Sequence, residues 1–259
     1  MPNIDKHAAG TFCWIELGTT DQAAAKQFYG SLFGWAPNDM PMGPGEFYTM
    51  FTLEGRNAAA AYTINPERMP GVPPHWMLYI TADSADDAAA RITEAGGKLM
   101  APPFDVFDVG RMAVAQDPTG ATFSIWQAKS HAGIGIAGVD GSLSWADLMT
   151  GDLERARQFY CKAFHWQITP GQNDPSGYLH IKNGEHFIGG MPPTGLPPGV
   201  PPHWLPYFHS SNCDASTEKA TGMGAKVLYG PVSMENVGRW SVVADPQGAV
   251  FAIFQPLHS

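Results

Sequence analysis

The sequence predicts an α+β protein of four βαβββ modules arranged as two tandem halves. The first observation behind this is a doubled hexapeptide, GVPPHW, at residues 71–76 and again at 199–204. The second is a longer likeness between the halves. "CWIELGTTDQAAAKQFYGSLFGW" from Cys13 answers to "SWADLMTGDLERARQFYCKAFHW" from Ser144, and "VGRMAVAQDPTGATFSIWQ" from Val109 answers to "VGRWSVVADPQGAVFAIFQ" from Val237. The third is the constancy of the offset: 131 positions from Trp14 to Trp145, 128 from Arg111 to Arg239 and 128 from Asp117 to Asp245. Repetition of this kind marks a duplication with small loop changes.

Within a half the elements follow in order. Residues 12–17 alternate as a strand does. A helix follows from Asp21, where Phe28 and Leu32 fall four apart and Asp21 or the preceding threonines cap the first turn. Strands are expected near 47–53 and 57–64. After a Pro-rich crossover come the strand "HWMLYITAD" and the helix "SADDAAARITEAGG", with glycines at its end. Strands near 111–116 and 121–127 flank "DPTG", whose Asp, Pro and Gly suit a type I turn and so a hairpin. The Gly- and Ala-rich "AKSHAGIGIAGVDG" (128–141) is the natural joint between halves. The segments "PNDMPMGPGEF" (37–47) and "GQNDPSG" (171–177) read as surface loops or as lids.

Composition narrows the function classes. The 259 residues are 44% hydrophobic and only 15% charged, enough to bury a sizeable core. With 24 acidic against 15 basic residues the net charge is −9, which argues against nucleic acid or an anionic membrane as partner. No stretch approaches the ~20 apolar residues of a membrane helix, and the start shows no secretory pattern. A cytoplasmic location is expected, although leaderless export leaves no such mark. Three cysteines without a CxxC pair read as reduced thiols.

The four modules, the helix "AAKQFYGSLFGW" and the hairpin "DPTGATFSIW" resemble the vicinal oxygen chelate superfamily, with its glyoxalases, extradiol dioxygenases and bleomycin-resistance proteins. The doubled GVPPHW and "ADPQGAVFAIFQ" resemble its tandem-domain, culture-filtrate-antigen-like subgroup, described as glyoxalase-like or hydroxylase-like. The resemblance covers nearly the whole chain. It implies two glyoxalase-like domains, 8–128 and 141–259, joined by a linker at 129–140, with mixed sheets forming cups. Metal-dependent members hold a divalent ion in the cup by His, Gln or Glu, and a substrate's vicinal oxygens chelate it.

Carried onto this chain, those ligand positions are degenerate. Seven residues after the hairpin aspartates stand Ser124 and Ala252; the first-strand positions are Trp14 and Trp145; their counterparts in the following modules are Met77 and Leu205. The remaining positions fall in the alanine run 58–61 and in "FIGG" (187–190). No metal is therefore expected at the family positions, and no cofactor.

Strand period places other groups on the same faces. His75 and His203 lie two residues before Met77 and Leu205, and Glu16 and Asp147 two residues after the tryptophans. Glu16 with His75, and Asp147 with His203, would make a displaced site for Ni, Zn, Mn or Fe, or an acid/base pair. The plainer alternative has Pro-Pro-His-Trp starting an edge strand, its His on a backbone carbonyl and its Trp toward the helices, with Pro206 in agreement. Arg111 and Arg239 would bind a ligand's carboxylate or enolate oxygen, or else pair with acids such as Asp117 and Asp245. Trp14, Trp126, Trp145, Phe254, Tyr79 and Tyr207 form either the aromatic walls of a pocket or core.

Three functions follow: a metal-free small-molecule binder, a glyoxalase-like lyase, isomerase or hydroxylase using the displaced site, or an interaction protein presenting its Pro-rich loop (191–202). The first is preferred, in a monomer whose internal pseudo-symmetry replaces dimerisation.

Overall fold

The computed structural model describes residues 3–171, 176–193 and 195–257. The first half runs β1 (Phe12–Thr19), α1 (Gln22–Phe33), β2 (Ala36–Gly43), β3 (Glu46–Leu53), β4 (Arg56–Thr63), β5 (His75–Thr81), α2 (Ala85–Glu94), β6 (Lys98–Val106), β7 (Gly110–Gln116) and β8 (Thr122–Ala128). The second repeats it as β9 (Leu143–Met149), α3 (Leu153–Phe164), β10 (Gln167–Pro170), β11 (Leu179–Asn183), β12 (His186–Met191), β13 (His203–His209), α4 (Cys213–Gly222), β14 (Lys226–Met234), β15 (Gly238–Ala244) and β16 (Val250–Pro256). This is βαβββ four times.

Local chemistry explains the helices. Each N-cap side chain accepts a hydrogen bond from a backbone N–H in the first turn: Asp21 from Ala24, Ser84 from Asp87, Asp152 from Arg155 and Asn212 from Ala215. At the far end of α1, Gly34 takes the left-handed conformation (φ 74°) that lets the chain turn into Trp35. The matching residue of α3, His165, is held there at φ 59°.

Each half forms its own eight-stranded mixed sheet, ordered β2-β3-β4-β1-β5-β8-β7-β6 and β10-β11-β12-β9-β13-β16-β15-β14. The cup therefore closes within a half. At its centre the first strands of paired modules run antiparallel, β1 beside β5 and β9 beside β13, with Glu16 opposite Met77 and Asp147 opposite Leu205. Alternation then gives each sheet two faces. Cys13, Ile15, Leu17, Leu78, Ile80, Phe123 and Ile125 are buried against the helices, while Trp14, Glu16, Tyr79 and Trp126 turn into the cup.

The helix faces of the two halves share one aromatic core. Tyr29 packs on Trp76 and on Phe251 of the other half, Phe33 on Phe208, and Phe123 on Phe159 and Tyr160. Polar latches cross the same boundary. Tyr29 Oη donates to Asp245 at 2.8 Å, and Tyr160 Oη to Asp117 at 3.0 Å. The other oxygen of each aspartate accepts the backbone N–H groups of its own hairpin turn. The doubled QFY and DPxG motifs are thus partners across the halves.

Several expectations change. Residues 37–47 are not a lid, for β2 and β3 pair there as an edge hairpin. Of the loop expected at 171–177, residues 172–175 lie outside the described residues, as does residue 194 of the Pro-rich loop. GVPPHW leads into the central strands β5 and β13, not edge strands. Pro206 is tolerated because β16 engages β13 only from Tyr207 onward. The joint at 129–140 is no free tether. Ile134 and Ile136 are buried, and Ile136 bridges to Asn3.

Candidate functional site

Both cups hold the same polar array. In the first, Glu16 Oε1 accepts from Tyr79 Oη at 2.5 Å and Oε2 from Tyr48 Oη at 2.9 Å, while Trp14 Nε1 donates to Tyr48 Oη at 3.0 Å. In the second, Asp147 Oδ1 accepts from Tyr178 Oη at 2.5 Å and from Trp145 Nε1 at 3.0 Å, and Oδ2 from Tyr207 Oη at 2.7 Å. Trp145 Nε1 also donates to Tyr178 Oη, at 2.9 Å. Each array is a carboxylate held by two phenols, with an indole N–H on one phenol in both cups and on the carboxylate as well in the second.

Their positions follow from the strands. Trp14 and Glu16, like Trp145 and Asp147, lie two apart and share a face, and antiparallel pairing sets Tyr79 opposite Trp14 and Tyr207 opposite Trp145. The second phenol comes from the β2–β3–β4 side, Tyr48 on β3 and Tyr178 just before β11. Gly190 makes room for Tyr178, since a Cβ there would lie 1.8 Å from its hydroxyl.

Burial sets the electrostatics. Desolvation raises the carboxyl pKa of Glu16 and of Asp147, and the phenol hydrogen bonds pull it partly back. Tyr48, Tyr79 and Tyr207 are pushed well above the ordinary phenol range by burial and then by the neighbouring carboxylate. The phenols are hydrogen-bond donors throughout the neutral range, and each carboxyl is poised to gain a proton more readily than an exposed one.

The histidines stand apart from the carboxylates. His75 lies opposite Gly18, with Nδ1 2.9 Å from the Pro73 carbonyl and Nε2 3.4 Å from Tyr62 Oη. His203 Nδ1 lies 2.9 Å from the Pro201 carbonyl. The pairs expected between Glu16 and His75, and between Asp147 and His203, are not made; a backbone carbonyl orients each imidazole, as the plainer alternative has it. Burial lowers the pKa of His203. Trp76 and Trp204 point into the shared core, where Trp204 Nε1 donates to Tyr160 at 3.0 Å.

Arg111 and Arg239 are corrected as ligand-binding candidates. Both lie on the helix side, Arg111 bidentate on Asp86 at 2.8 and 2.9 Å and Arg239 on Asp214 at 2.7 Å, so they brace helix N-termini. Neither meets Asp117 or Asp245, whose oxygens serve the turns and latches. The thiols offer no nucleophile: Cys13 and Cys213 are buried, and burial pushes Cys13 up to about 12.

The positions expected from the sequence to match the superfamily's metal ligands carry Trp14, Met77 and Ser124 in one cup and Trp145, Leu205 and Ala252 in the other. Ser124 Oγ, buried, has no hydrogen-bond partner among the described residues. Among the described residues no three His, Cys, Asp or Glu side chains gather as a ligand set. That donor set does not fit a divalent ion held in the superfamily's manner.

The cups differ in access. Trp14, Tyr79 and Trp126 are at most 5% exposed, and His131 from the linker stands edge-on to Trp14 at 4.5 Å. Trp145, Tyr207 and Phe254 are only half-buried. A cavity of about 480 Å³ opens beside the second array, lined by Gln167, Thr169, His180, Lys182 and Phe187.

Four βαβββ modules with two cups define the glyoxalase-like class. The sequence profile of the Glyoxalase/Bleomycin resistance protein/Dioxygenase superfamily matches residues 11–125 and 142–253, and the chain belongs to that superfamily. It is 40% identical over 264 residues to a protein of Mycobacterium bovis named "Putative glyoxylase CFP32", covering 99% of this chain and 98% of that one. It is 32% identical over 267 residues to "Anthracycline biosynthesis protein DnrV" of Streptomyces peucetius, covering 97% and 95%. In fold it resembles the Mn(II)-bound glyoxalase of Novosphingobium aromaticivorans, with a TM-score of 0.68 at 16% identity over 100% of this chain and 84% of that one. It also resembles the 2,3-dioxygenase LapB of Pseudomonas sp. KL28, with a TM-score of 0.66 at 11% identity over 96% and 93%.

Proposed function

We propose that the protein binds a small aromatic molecule in its cups without the superfamily's metal, the carboxylate–phenol array serving as polar anchor. The observation that carries this reading is the array itself, built twice beside positions where the expected metal ligands are replaced by apolar side chains or, at Ser124, a hydroxyl. An aromatic wall with a few fixed polar groups is the usual composition of a small-molecule site, and the cavity of about 480 Å³ adjoins the second array where His180 meets Tyr178. The Streptomyces relatives, 32% and 33% identical, carry names in anthracycline biosynthesis, so polycyclic phenols and quinones are the first ligands to test.

A second reading rests on the raised carboxyls. Glu16 and Asp147, each touching phenol hydroxyls, are suited to pass a proton to or from a bound ligand. That makes the protein an acid/base lyase or isomerase without His75 and His203 as carboxylate partners.

The test combines two measurements. Elemental mass spectrometry follows incubation with nickel, zinc, manganese or iron(II) and dialysis; tryptophan fluorescence follows titration with an anthracycline. We expect no retained ion. We expect anthracycline binding that weakens about tenfold or more in Asp147→Asn or Tyr207→Phe, as for a buried hydrogen bond to a charged group, and that survives His75→Ala with His203→Ala. Near-stoichiometric ion retention that this double variant abolishes would sink the metal-free reading. Turnover of the ligand lost in Asp147→Asn would favour the enzyme.

A further inference from the structure

The two halves share the array but differ beside it. Strand register identifies the differing positions. In the second half Gln167 and Phe187 flank Lys182, and Thr169 and Gly190 flank His180. In the first half Ala36 and Asn57 flank Thr52, and Asn38 and Ala60 flank Met50. Hence Lys182 answers to Thr52, His180 to Met50, Phe187 to Asn57 and Gln167 to Ala36. The second half has placed a lysine, an imidazole and a phenyl ring where the first has a threonine, a methionine and an asparagine.

These residues are ordered along one face. In "YLHIKN" Ile181 is buried in the core, so the alternate residues Tyr178, His180 and Lys182 line the opposite, concave face. Tyr178 meets His180 edge-on at 5.0 Å, His180 meets Phe187 at 5.3 Å, and Lys182 Nζ lies 4.6 Å from the Phe187 ring centre. Among the described residues Lys182 forms no ion pair within 4.0 Å, although the chain is acidic overall. The cavity runs over these groups, with Gln167 and Thr169 on its outer wall. The Asp147 array does not line the cavity but adjoins it where His180 meets Tyr178, and its oxygens are already occupied by three donors.

We infer that the second cup is a site for a planar aromatic acid. The ligand's carboxylate or phenolate meets Lys182 and His180 with Gln167, and its ring lies against Phe187. A hydroxyl at its far end donates to Tyr207 Oη, whose own proton is held by Asp147. This rests on the small-molecule reading above and adds the cup, the charge and the orientation. Asp147 repels an anion at the inner end and so fixes the direction of binding. The first cup has no cation at the matching positions and does not share the preference.

The experiment compares 6-hydroxy-2-naphthoate with its neutral isostere 6-hydroxy-2-naphthamide, by equilibrium dialysis and tryptophan fluorescence on the full chain. We expect one naphthoate per chain, bound at least about tenfold tighter than the amide, as for a charge-assisted hydrogen bond, and weakened by salt. Lys182→Met, whose folding is checked by circular dichroism, is expected to bind acid and amide alike, and Lys182→Arg to restore the preference. Equal affinities in the wild-type protein, a preference that persists in Lys182→Met, or no binding of naphthoate would each overturn the inference. If acid and amide bind equally and both weaken in Asp147→Asn, the anchor reading stands and the anion site falls. If naphthoate binds through Lys182 and Asp147→Asn changes nothing, the anion site stands and the anchor reading falls.

Discussion

Asp147 is the least solvated carboxylate of the array pair, and its pH behaviour follows from that. Its folded pKa is raised by desolvation, so the native state holds the proton at pH values where the unfolded chain has released it. Its contribution to stability is complete below the unfolded value, about 4, and is lost as pH climbs through the raised folded value. Asp147→Asn is expected to flatten this part of the stability–pH curve, and urea unfolding at several pH values measures it. A wild-type curve that rises with pH there while the variant's stays flat would contradict the sign. At this scale the sequence was partly legible. Alternation from Trp14 and Trp145 put Glu16 and Asp147 in the cups, because β1 and β9 are regular there. Tyr48 and Tyr178 were not legible, since they reach the carboxylates from strands whose pairing no local pattern announces. A repeated Tyr at near-constant offset was the one available signal.

Among the elements, β11 and β12 carry what is particular to the second cup. Their fit depends on Gly190, whose missing side chain is where Tyr178 sits. Gly190→Ala is expected to displace the phenol from Asp147 and to cost about 1–3 kcal/mol, the usual penalty for a buried group left without its partner. In a Tyr178→Ala background the same change should cost far less, and a double-mutant cycle by denaturant unfolding reads the difference. Equal costs in both backgrounds would mean the crowding lies elsewhere. The central strands were legible from apolar alternation, and the helices from their caps. The edge strands β2 and β6 were hidden, because "APNDMPMG" and "KLMAPPFDV" carry the prolines and polar residues that edges tolerate and that otherwise signal loops. GVPPHW misled about position alone: its prolines stiffen the entry to a central strand.

For the whole molecule, the repeat made the architecture legible, but nothing in it told that the halves exchange hydrogen bonds. The Tyr29–Asp245 and Tyr160–Asp117 latches do so, within a core that interleaves rings from both halves. Tyr29→Phe with Tyr160→Phe is expected to lower stability by about 1–3 kcal/mol per latch while keeping a single unfolding transition by calorimetry, since the aromatic packing remains. Two resolved transitions would show that the latches alone couple the halves. The crossing of these bonds also bears on how such a protein changes over generations. In an assembly of two identical chains every substitution is written into both cavities at once. A continuous chain in which each half completes the other keeps the pair together while letting the two cups differ, so Lys182 stands in one cup and Thr52 at the matching position of the other.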